Sequence, residues 1–143
     1  MEYLSNSQSP ISLSGQSDLI IFGASIINSS SNGIYLYNCE NIIIDSCYIE
    51  NSQTGINCVK CSNIIVRNCT LLNMKGPKPS GQFIQFNNCI GGMILSNSLF
   101  NLPNQSDPED AISIYQSNGS PSSPILISSN FISGGGHLFQ EEV

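Results

Sequence analysis

Two stretches of the chain match each other, Cys39-Glu-Asn-Ile-Ile-Ile-Asp-Ser-Cys-Tyr-Ile-Glu-Asn51 and, 22 residues later, Cys61-Ser-Asn-Ile-Ile-Val-Arg-Asn-Cys-Thr-Leu-Leu-Asn73. Asn41 corresponds to Asn63 and Cys47 to Cys69. Such matching at a fixed period is the signature of a solenoid, in which each repeat forms one coil. Each unit holds short runs rich in Ile, Val and Tyr. These runs are too short for helices and indicate β-strands.

Related units lie on both sides of this pair. One coil begins near Asp18, which aligns with Asn41, and further units follow as far as Phe131. Insertions interrupt two of the later coils, Met74–Ser80 and Leu102–Asp110. The pattern therefore predicts about five coils of ~22 residues with two loop insertions.

The predicted fold is all-β, a right-handed single-stranded parallel β-helix. Each unit can bury its apolar face only against its neighbours, and crossovers between parallel strands are overwhelmingly right-handed. An antiparallel sandwich is the alternative. We expect residues 1–143 to form a single β-helix domain that is part of a longer β-helix, since the repeats start and stop without obvious caps.

Stacking the coils in register predicts which side chains meet. Two columns should point inward and two outward, because side chains alternate along a strand. Asp45 should also lie beside Arg67 on the outer surface as an ion pair. The inward columns are Ile34, Ile56, Ile84 and Ile112, and Leu36, Cys58, Phe86 and Ile114; the outward ones are Tyr35, Asn57, Gln85 and Ser113, and Tyr37, Val59, Asn87 and Tyr115.

Composition and charge exclude some functions. Charged residues make up 10% of the chain and the net charge is −6, which argues against nucleic acid as a partner. No apolar run approaches the ~20 residues of a membrane span. The first residues show neither the basic region nor the apolar region of a signal peptide. The chain is thus expected to be cytosolic or an interior piece of a longer exported protein, and the repeats favour the second.

The six cysteines and the single histidine give little sign of a reactive centre. The cysteines fall into repeat columns, where we expect reduced, inward thiols that pack as small hydrophobic groups. Cys58 and Cys61 form a C-x-x-C, but no second pair or histidine pair completes a zinc site. His137 follows three glycines and is the residue that a Ser-His-Asp triad would have to use.

The two insertions contain the candidate site. Both enter at the same turn of consecutive coils, so they should be neighbours on one side of the solenoid. Asp107, Glu109 and Asp110 could bind Ca²⁺, or Glu109 and Asp110 could act as the acid and base of glycoside chemistry. The predicted partners are two lysines for an anionic sugar, a polar groove floor and an aromatic platform: Lys75, Lys78, Gln82, Gln85, Ser113 and Tyr115, with Tyr35 farther along the face. A solvated loop pair with loose salt bridges is the alternative.

The coil pattern, Asn-Ile-x-Ile, then Asn or Cys, then Ile, then Gly-Ile, resembles the right-handed parallel β-helix proteins of the pectate lyase superfamily over about residues 11–135. Glu109-Asp-Ala-Ile-Ser-Ile114 is similar to the Asp-Asp-Cys-Ile-Ala-Ile strand of polygalacturonase-type glycoside hydrolases, which implies catalytic roles for Glu109 and Asp110. In that family an aspartate aligns with Gln82, and Gly-His-Gly with residues 136–138. The insertions also resemble those of bacterial, exported β-helix proteins without an assigned reaction, which implies an extracellular or cell-surface location.

These observations support two functions of different classes. The first is a β-helix segment that binds or processes an anionic, uronic-acid-containing polysaccharide, as a lyase, hydrolase or epimerase would. The second is a non-catalytic structural or adhesive segment of a surface or phage-fibre protein. Either segment should expose unpaired strand edges at its ends, which predicts self-association through those ends.

Overall fold

A computed structural model describes residues 1–134, and within them the chain forms sixteen β-strands in three parallel sheets. Sheet 1 contains β1 (Glu2–Ser5), β3 (Ser17–Phe22), β6 (Glu40–Asp45), β9 (Ser62–Arg67), β12 (Ile90–Leu95) and β15 (Ile125–Ser128). Sheet 2 contains β4 (Ser25–Ile27), β7 (Tyr48–Glu50), β10 (Thr70–Leu72), β13 (Ser98–Phe100) and β16 (Phe131–Ser133). Sheet 3 contains β2 (Ile11–Ser14), β5 (Asn32–Tyr37), β8 (Thr54–Val59), β11 (Ile84–Asn87) and β14 (Ile112–Tyr115).

The chain visits sheets 1, 2 and 3 in turn, and each strand pairs with the equivalent strand of the next coil. This confirms the right-handed parallel β-helix. The predicted register is also confirmed, since Ile42 pairs with Ile64 and Leu36 with Cys58. Both predicted inward columns are in register through β14. Within the described part of the chain, no helix is long and apolar enough to cross a bilayer.

Asparagines at the turns let the chain change direction between sheets. Asn28 and Asn51, which follow β4 and β7, have φ of 64° and 62°, a left-handed conformation that asparagine tolerates better than most residues. The Asn51 amide also donates a hydrogen bond to Asn28 Oδ1 at 2.5 Å. The turn asparagines therefore link neighbouring coils.

The core is a stack of inward aliphatic side chains and thiols. Ile34, Ile56 and Ile84 are fully buried in one column. All six cysteines are buried free thiols, as predicted. Two of them also accept backbone hydrogen bonds from the coil before: Cys47 N–H donates to Cys69 Sγ at 3.5 Å, and Cys39 N–H to Cys61 Sγ at 3.4 Å. The cysteine columns are thus structural.

The five predicted coils from about Asp18 onward are confirmed, and the structure adds a partial coil before them. β1 and β2 precede that residue and pair with β3 and β5, so sheet 1 has six strands. This first coil has no sheet 2 strand in the described structure, because residues 6–10 run irregularly from β1 to β2. Without that strand the coil is shorter and lacks the Asn-Ile-x-Ile pattern, which hid it from the repeat alignment.

The two ends of the solenoid differ. At the N-terminal end Ile26, in the edge strand β4 of sheet 2, is fully buried, and Ile11 in sheet 3 is 6% exposed. Ser25 N–H donates to Ser7 O at 2.8 Å, so the segment between β1 and β2 lies beside β4. At the C-terminal end the inward residues Ile127 and Ile132 are 45% and 44% exposed. We call these the closed end and the open end.

The outer face of sheet 1 carries the predicted ion pair. Arg67 Nε lies 3.0 Å from Asp45 Oδ2. Burial would raise the pKa of the Asp45 carboxyl, but hydrogen bonds from Ser46, Arg67 and Asn68 outweigh burial and hold the pKa below its usual value. Beside the pair runs a partly exposed apolar column: Tyr3, Ile20, Ile43, Ile65, Met93 and Leu126.

Candidate functional site

Both insertions leave the solenoid at the turn between sheets 2 and 3. The connection from β7 to β8 is residues 51–53, whereas the equivalent connections in the next two coils are residues 73–83 and 101–111. The insertions touch through their backbones, since Asp107 N–H donates to Lys75 O at 3.1 Å and Glu109 N–H to Ser80 O at 3.3 Å. The prediction that the two loops are neighbours is confirmed.

Two glycines permit this close approach. Gly76 and Gly81 have φ of 73° and 102°, a backbone conformation that residues with a side chain rarely adopt. A β-carbon on Gly76 would collide with the Asp107 carbonyl oxygen, and one on Gly81 with the backbone of Pro108. The loops can therefore pack at this distance only with glycine at both positions.

Polar side chains, most of them buried, anchor the loop pair to the coils. Asn101 Oδ1 accepts hydrogen bonds from Met74 N–H at 2.9 Å and from the Ser106 hydroxyl at 3.2 Å. Asn73 Oδ1 accepts one from Leu102 N–H at 2.9 Å, and Thr54 Oγ1 one from Gly81 N–H at 3.1 Å. Sequence reasoning gave Asn73 a structural role at its turn but assigned no anchor role to Asn101, Ser106 or Thr54. The column of turn asparagines that continues from Asn51 through Asn73 to Asn101 is the signal that could have found them.

A depression of about 640 Å³ lies between the loop pair and the outer face of sheet 3. It brings together five of the predicted site residues: Glu109, Asp110, Gln85, Ser113 and Tyr115. Pro79, Ser80 and Asn87 complete the lining. Asn87 belongs to a predicted outward column, but sequence reasoning did not assign it to the site.

Strand alternation positions the floor of this depression. Gln85 pairs with Ser113, and Asn87 with Tyr115, across β11 and β14. The intervening Phe86 is fully buried, so the polar side chains face outward as predicted. Tyr115 is 53% exposed, which leaves much of its surface available to a ligand.

Gln82 does not form part of the floor, and this prediction was wrong. Gln82 is 1% exposed, and its Nε2 donates to Pro79 O at 2.9 Å and, at 3.5 Å, to Glu109 Oε1. It lies in the turn before β11, where strand alternation does not yet determine the direction of a side chain. Its amide orients the loops instead of facing a ligand.

The lysines do not line the depression with Glu109 and Asp110, contrary to the prediction. Lys75 and Lys78 are exposed but absent from the lining of the depression, and in the described structure neither forms an ion pair with Glu109 or Asp110. The insertion places the Lys75 backbone beside the acidic loop, where its carbonyl accepts the Asp107 N–H. Glu109 and Asp110 therefore give the depression a negative lining.

The remaining site predictions have mixed outcomes. Among residues 1–134 no three His, Cys, Asp or Glu side chains are grouped to hold a metal ion, so Asp107, Glu109 and Asp110 do not assemble the expected Ca²⁺ site. Tyr35 lines a separate depression with Ser12 and Asn32. His137 lies outside the described residues.

The lining suits a ligand that is rich in hydroxyl groups. Carboxylates accept hydrogen bonds from hydroxyls, and amides both donate and accept them. An exposed tyrosine presents a flat apolar face with a polar end. Together they can hydrogen-bond to the hydroxyl groups of a sugar ring and stack on one of its faces.

Comparison with known proteins identifies the fold family. The model of the family described as "right handed beta helix region" matches residues 2–140. That match includes the N-terminal coil that the repeat alignment missed. Neither the curated proteins nor the solved structures yielded a match to this chain.

Proposed function

The chain belongs to the right-handed β-helix family, and from this premise we propose that it binds a polysaccharide along the outer face of sheet 3. The observation that carries the proposal is the depression lined by Gln85, Asn87, Glu109, Asp110 and Tyr115. Tyr115 stacks on a sugar ring, and the amides and carboxylates hydrogen-bond its hydroxyls. The loop pair forms one wall, and the flat sheet continues the surface along the solenoid.

The charges of the lining favour a neutral polysaccharide over the uronic acid polymer that the sequence suggested. Two carboxylates line the depression and the lysines do not. A uronate carboxylate would be repelled there, because like charges at short range raise the free energy of the complex. The net charge of −6 acts in the same direction over longer distances.

Affinity electrophoresis tests the proposal, with gels that contain a neutral glucan, xylan or galactomannan, or else polygalacturonate or alginate. We expect Tyr115→Ala to weaken binding of a neutral polymer about tenfold, the effect of losing one stacked ring. Tyr3→Ala is the matched control, because Tyr3 is 66% exposed on sheet 1. The proposal is wrong if the parent binds none of the polymers, or if both tyrosine variants bind equally.

The double variant Glu109→Gln/Asp110→Asn identifies the role of the carboxylates. If they accept hydrogen bonds from a neutral sugar, the variant binds more weakly. If the ligand is a uronic acid polymer, removing the two negative charges strengthens binding instead. Release of reducing ends or unsaturated products by the parent, lost in the double variant at unchanged binding, would show that Glu109 and Asp110 act as acid and base.

A structural or adhesive segment is the second candidate function. The observation that favours it is the apolar outer column of sheet 1, which includes Ile43 and Ile65. An exposed apolar stripe is typical of a contact surface. Under this alternative, Ile43→Ser/Ile65→Ser reduces adsorption of the protein to apolar beads while Tyr115→Ala does not. Equal adsorption of the parent and the double serine variant would contradict it.

A further inference from the structure

Two outward columns cross the central strands of sheet 1, β3, β6, β9 and β12, and they are apolar except for one pair of opposite charges. In the first column every side chain is apolar and partly exposed: Ile20, Ile43, Ile65 and Met93. The second column begins with Phe22 and ends with Leu95. Between them lie Asp45 and Arg67, on β6 and β9. The face therefore carries one charge of each sign within an apolar surface.

The chemical order of these side chains is symmetric about a line between β6 and β9. From β3 to β12 the second column is apolar, acidic, basic and apolar. A two-fold axis along that line, parallel to the strands, places β6 of one copy over β9 of a second copy and β3 over β12. Asp45 of each copy then faces Arg67 of the other. The remaining facing pairs in the two columns are all apolar: Phe22 with Leu95, Ile43 with Ile65, and Ile20 with Met93.

Both charged groups can take a partner from a second copy. Arg67 contacts Asp45 through Nε at 3.0 Å, and 41% of its side chain is exposed, so the terminal donors of the guanidinium remain for another carboxylate. A carboxylate can likewise accept several hydrogen bonds. An uncharged apolar partner would remove water from both groups without replacing its hydrogen bonds, which is costly. A second copy supplies an opposite charge to each.

We propose that two copies of this chain associate face to face through sheet 1, with the two-fold axis between β6 and β9. At the start of the strands Asn41 faces Asn63 of the other copy, and the exposed Asp18 lies at the polar margin of the contact. A two-fold contact uses the same surface on both copies and closes after two subunits. The product is therefore a dimer and not a fibre.

The size of the face predicts a weak dimer. Six strands at a spacing of ~4.8 Å, with lengths up to ~20 Å, present roughly 500 Å² per copy. The contact thus buries roughly 1,000 Å² in total, which is at the low end for specific interfaces. Dilute protein should be monomeric and concentrated protein dimeric. The depression on sheet 3 stays open in both copies, so this inference does not depend on polysaccharide binding.

Charge reversal in sedimentation velocity tests the contact. We expect the parent to show a reversible monomer–dimer equilibrium. Asp45→Arg gives every copy two cations on this face, and Arg67→Asp gives every copy two anions. Each variant alone should self-associate at least about tenfold more weakly, because like charges then face each other. An equimolar mixture of the two variants should recover a dimer close to the parent in affinity, because each cation of one variant faces an anion of the other.

The mixture separates this contact from any effect on folding. Both variants lose the ion pair within the chain, and mixing does not restore it, so recovery can come only from contact between copies. Glu50→Arg is the matched control, because Glu50 is a partly exposed carboxylate on sheet 2 and its reversal changes the net charge by the same amount as Asp45→Arg. It should leave the dimer unchanged. Circular dichroism verifies the fold of each variant.

Four results would overturn the proposal. The first is a parent that stays monomeric at every concentration, and the second is growth of the parent beyond the dimer. The third is a mixture of Asp45→Arg and Arg67→Asp that associates no more than either variant alone. The fourth is equal weakening by Glu50→Arg and Asp45→Arg, since net charge and not the contact would then govern association.

Discussion

The two ends of the described solenoid differ in how well they bury the core, although both are built from the same repeat. Ile26 and Ile132 occupy the same column of sheet 2, yet the first is fully buried and the second is 44% exposed. The difference comes from residues 6–10, an irregular segment whose Ser7 carbonyl accepts the Ser25 N–H. A few non-repeating residues therefore seal the stack of coils at the closed end, whereas Ile132, at the other end of the described residues, is partly exposed.

The largest expected effect comes from truncating the same column at both ends. Ile26→Ala should lower the free energy of unfolding by about 3 kcal/mol, because it removes a buried side chain and leaves a cavity. Ile132→Ala should lower it by about 1 kcal/mol or less, since a half-exposed side chain has buried less apolar area. Urea unfolding of the parent and both variants measures the difference. Equal losses would mean that the two ends are equally well sealed.

A second comparison concerns one column of the coils, in which Cys47 and Cys69 are followed by Asn97 and Asn130 toward the open end. Asn97 Oδ1 accepts a hydrogen bond from Cys69 N–H at 2.9 Å, and its Nδ2 donates to Val66 O at 3.1 Å. Asn97→Ala leaves both buried backbone groups unpaired and should cost about 2 kcal/mol. Asn97→Cys should cost less, because Cys69 Sγ already accepts the Cys47 N–H in the coil before.

The same urea experiment measures this series, with Asn130→Ala as the control at the open end. Asn130 occupies the next position of the column but is only partly buried. Its loss should therefore be smaller than that of Asn97→Ala. If Asn97→Cys is as destabilised as Asn97→Ala, the thiols in this column do not serve as hydrogen-bond acceptors.

The smallest expected effect lies midway between the ends, at the Asp45–Arg67 pair. Asp45→Asn should lower the free energy of unfolding by about 0.5 kcal/mol at neutral pH, a modest value because the Arg67 side chain is 41% exposed. The folded-state pKa of Asp45 is lowered, so its contribution is present above the unfolded pKa of about 3.9. It is lost as the pH falls through the folded pKa.

Urea unfolding at several pH values checks this sign. The difference between the parent and Asp45→Asn should shrink as the pH falls below about 4 and also as salt is added. A difference that grows on acidification would contradict the lowered pKa. Because Asp45 lies three coils away from Ile132, its effect should be additive with that of Ile132→Ala.

The sequence predicted the repeating part of the fold well, for a physical reason. Parallel coils in register place identical positions above each other, so matches such as Ile42 with Ile64 translate directly into strand pairs. The first coil escaped because it lacks a sheet 2 strand. Irregular capping segments carry no periodic signal, and their effect is visible only in the burial of residues such as Ile26.

The candidate site was predicted in part. Strand alternation correctly placed Gln85, Ser113 and Tyr115 on the outer face, and the shared turn placed the acidic loop beside them. The burial of Gln82 and the absence of the lysines from the depression could not be predicted. These residues lie in loops, where neither the alternation along a strand nor the coil repeat determines the position of a side chain. The orientation of a side chain on a strand follows from its spacing in the sequence. The orientation of a loop side chain depends on individual contacts, such as the hydrogen bond from Gln82 to the Pro79 carbonyl.

The backbone contact between the insertions has a consequence for how this protein can evolve or be engineered. Because Asp107 and Glu109 donate to carbonyls of the other loop, a change in the length of one insertion removes partners from its neighbour. Residues 73–83 and 101–111 should therefore be inherited, lost or transplanted together. Moved as one cassette onto two adjacent plain coils, they would carry their own mutual hydrogen bonds together with Asn73 and Asn101, and require from the new host mainly a hydroxyl at the position of Thr54, which accepts the Gly81 N–H.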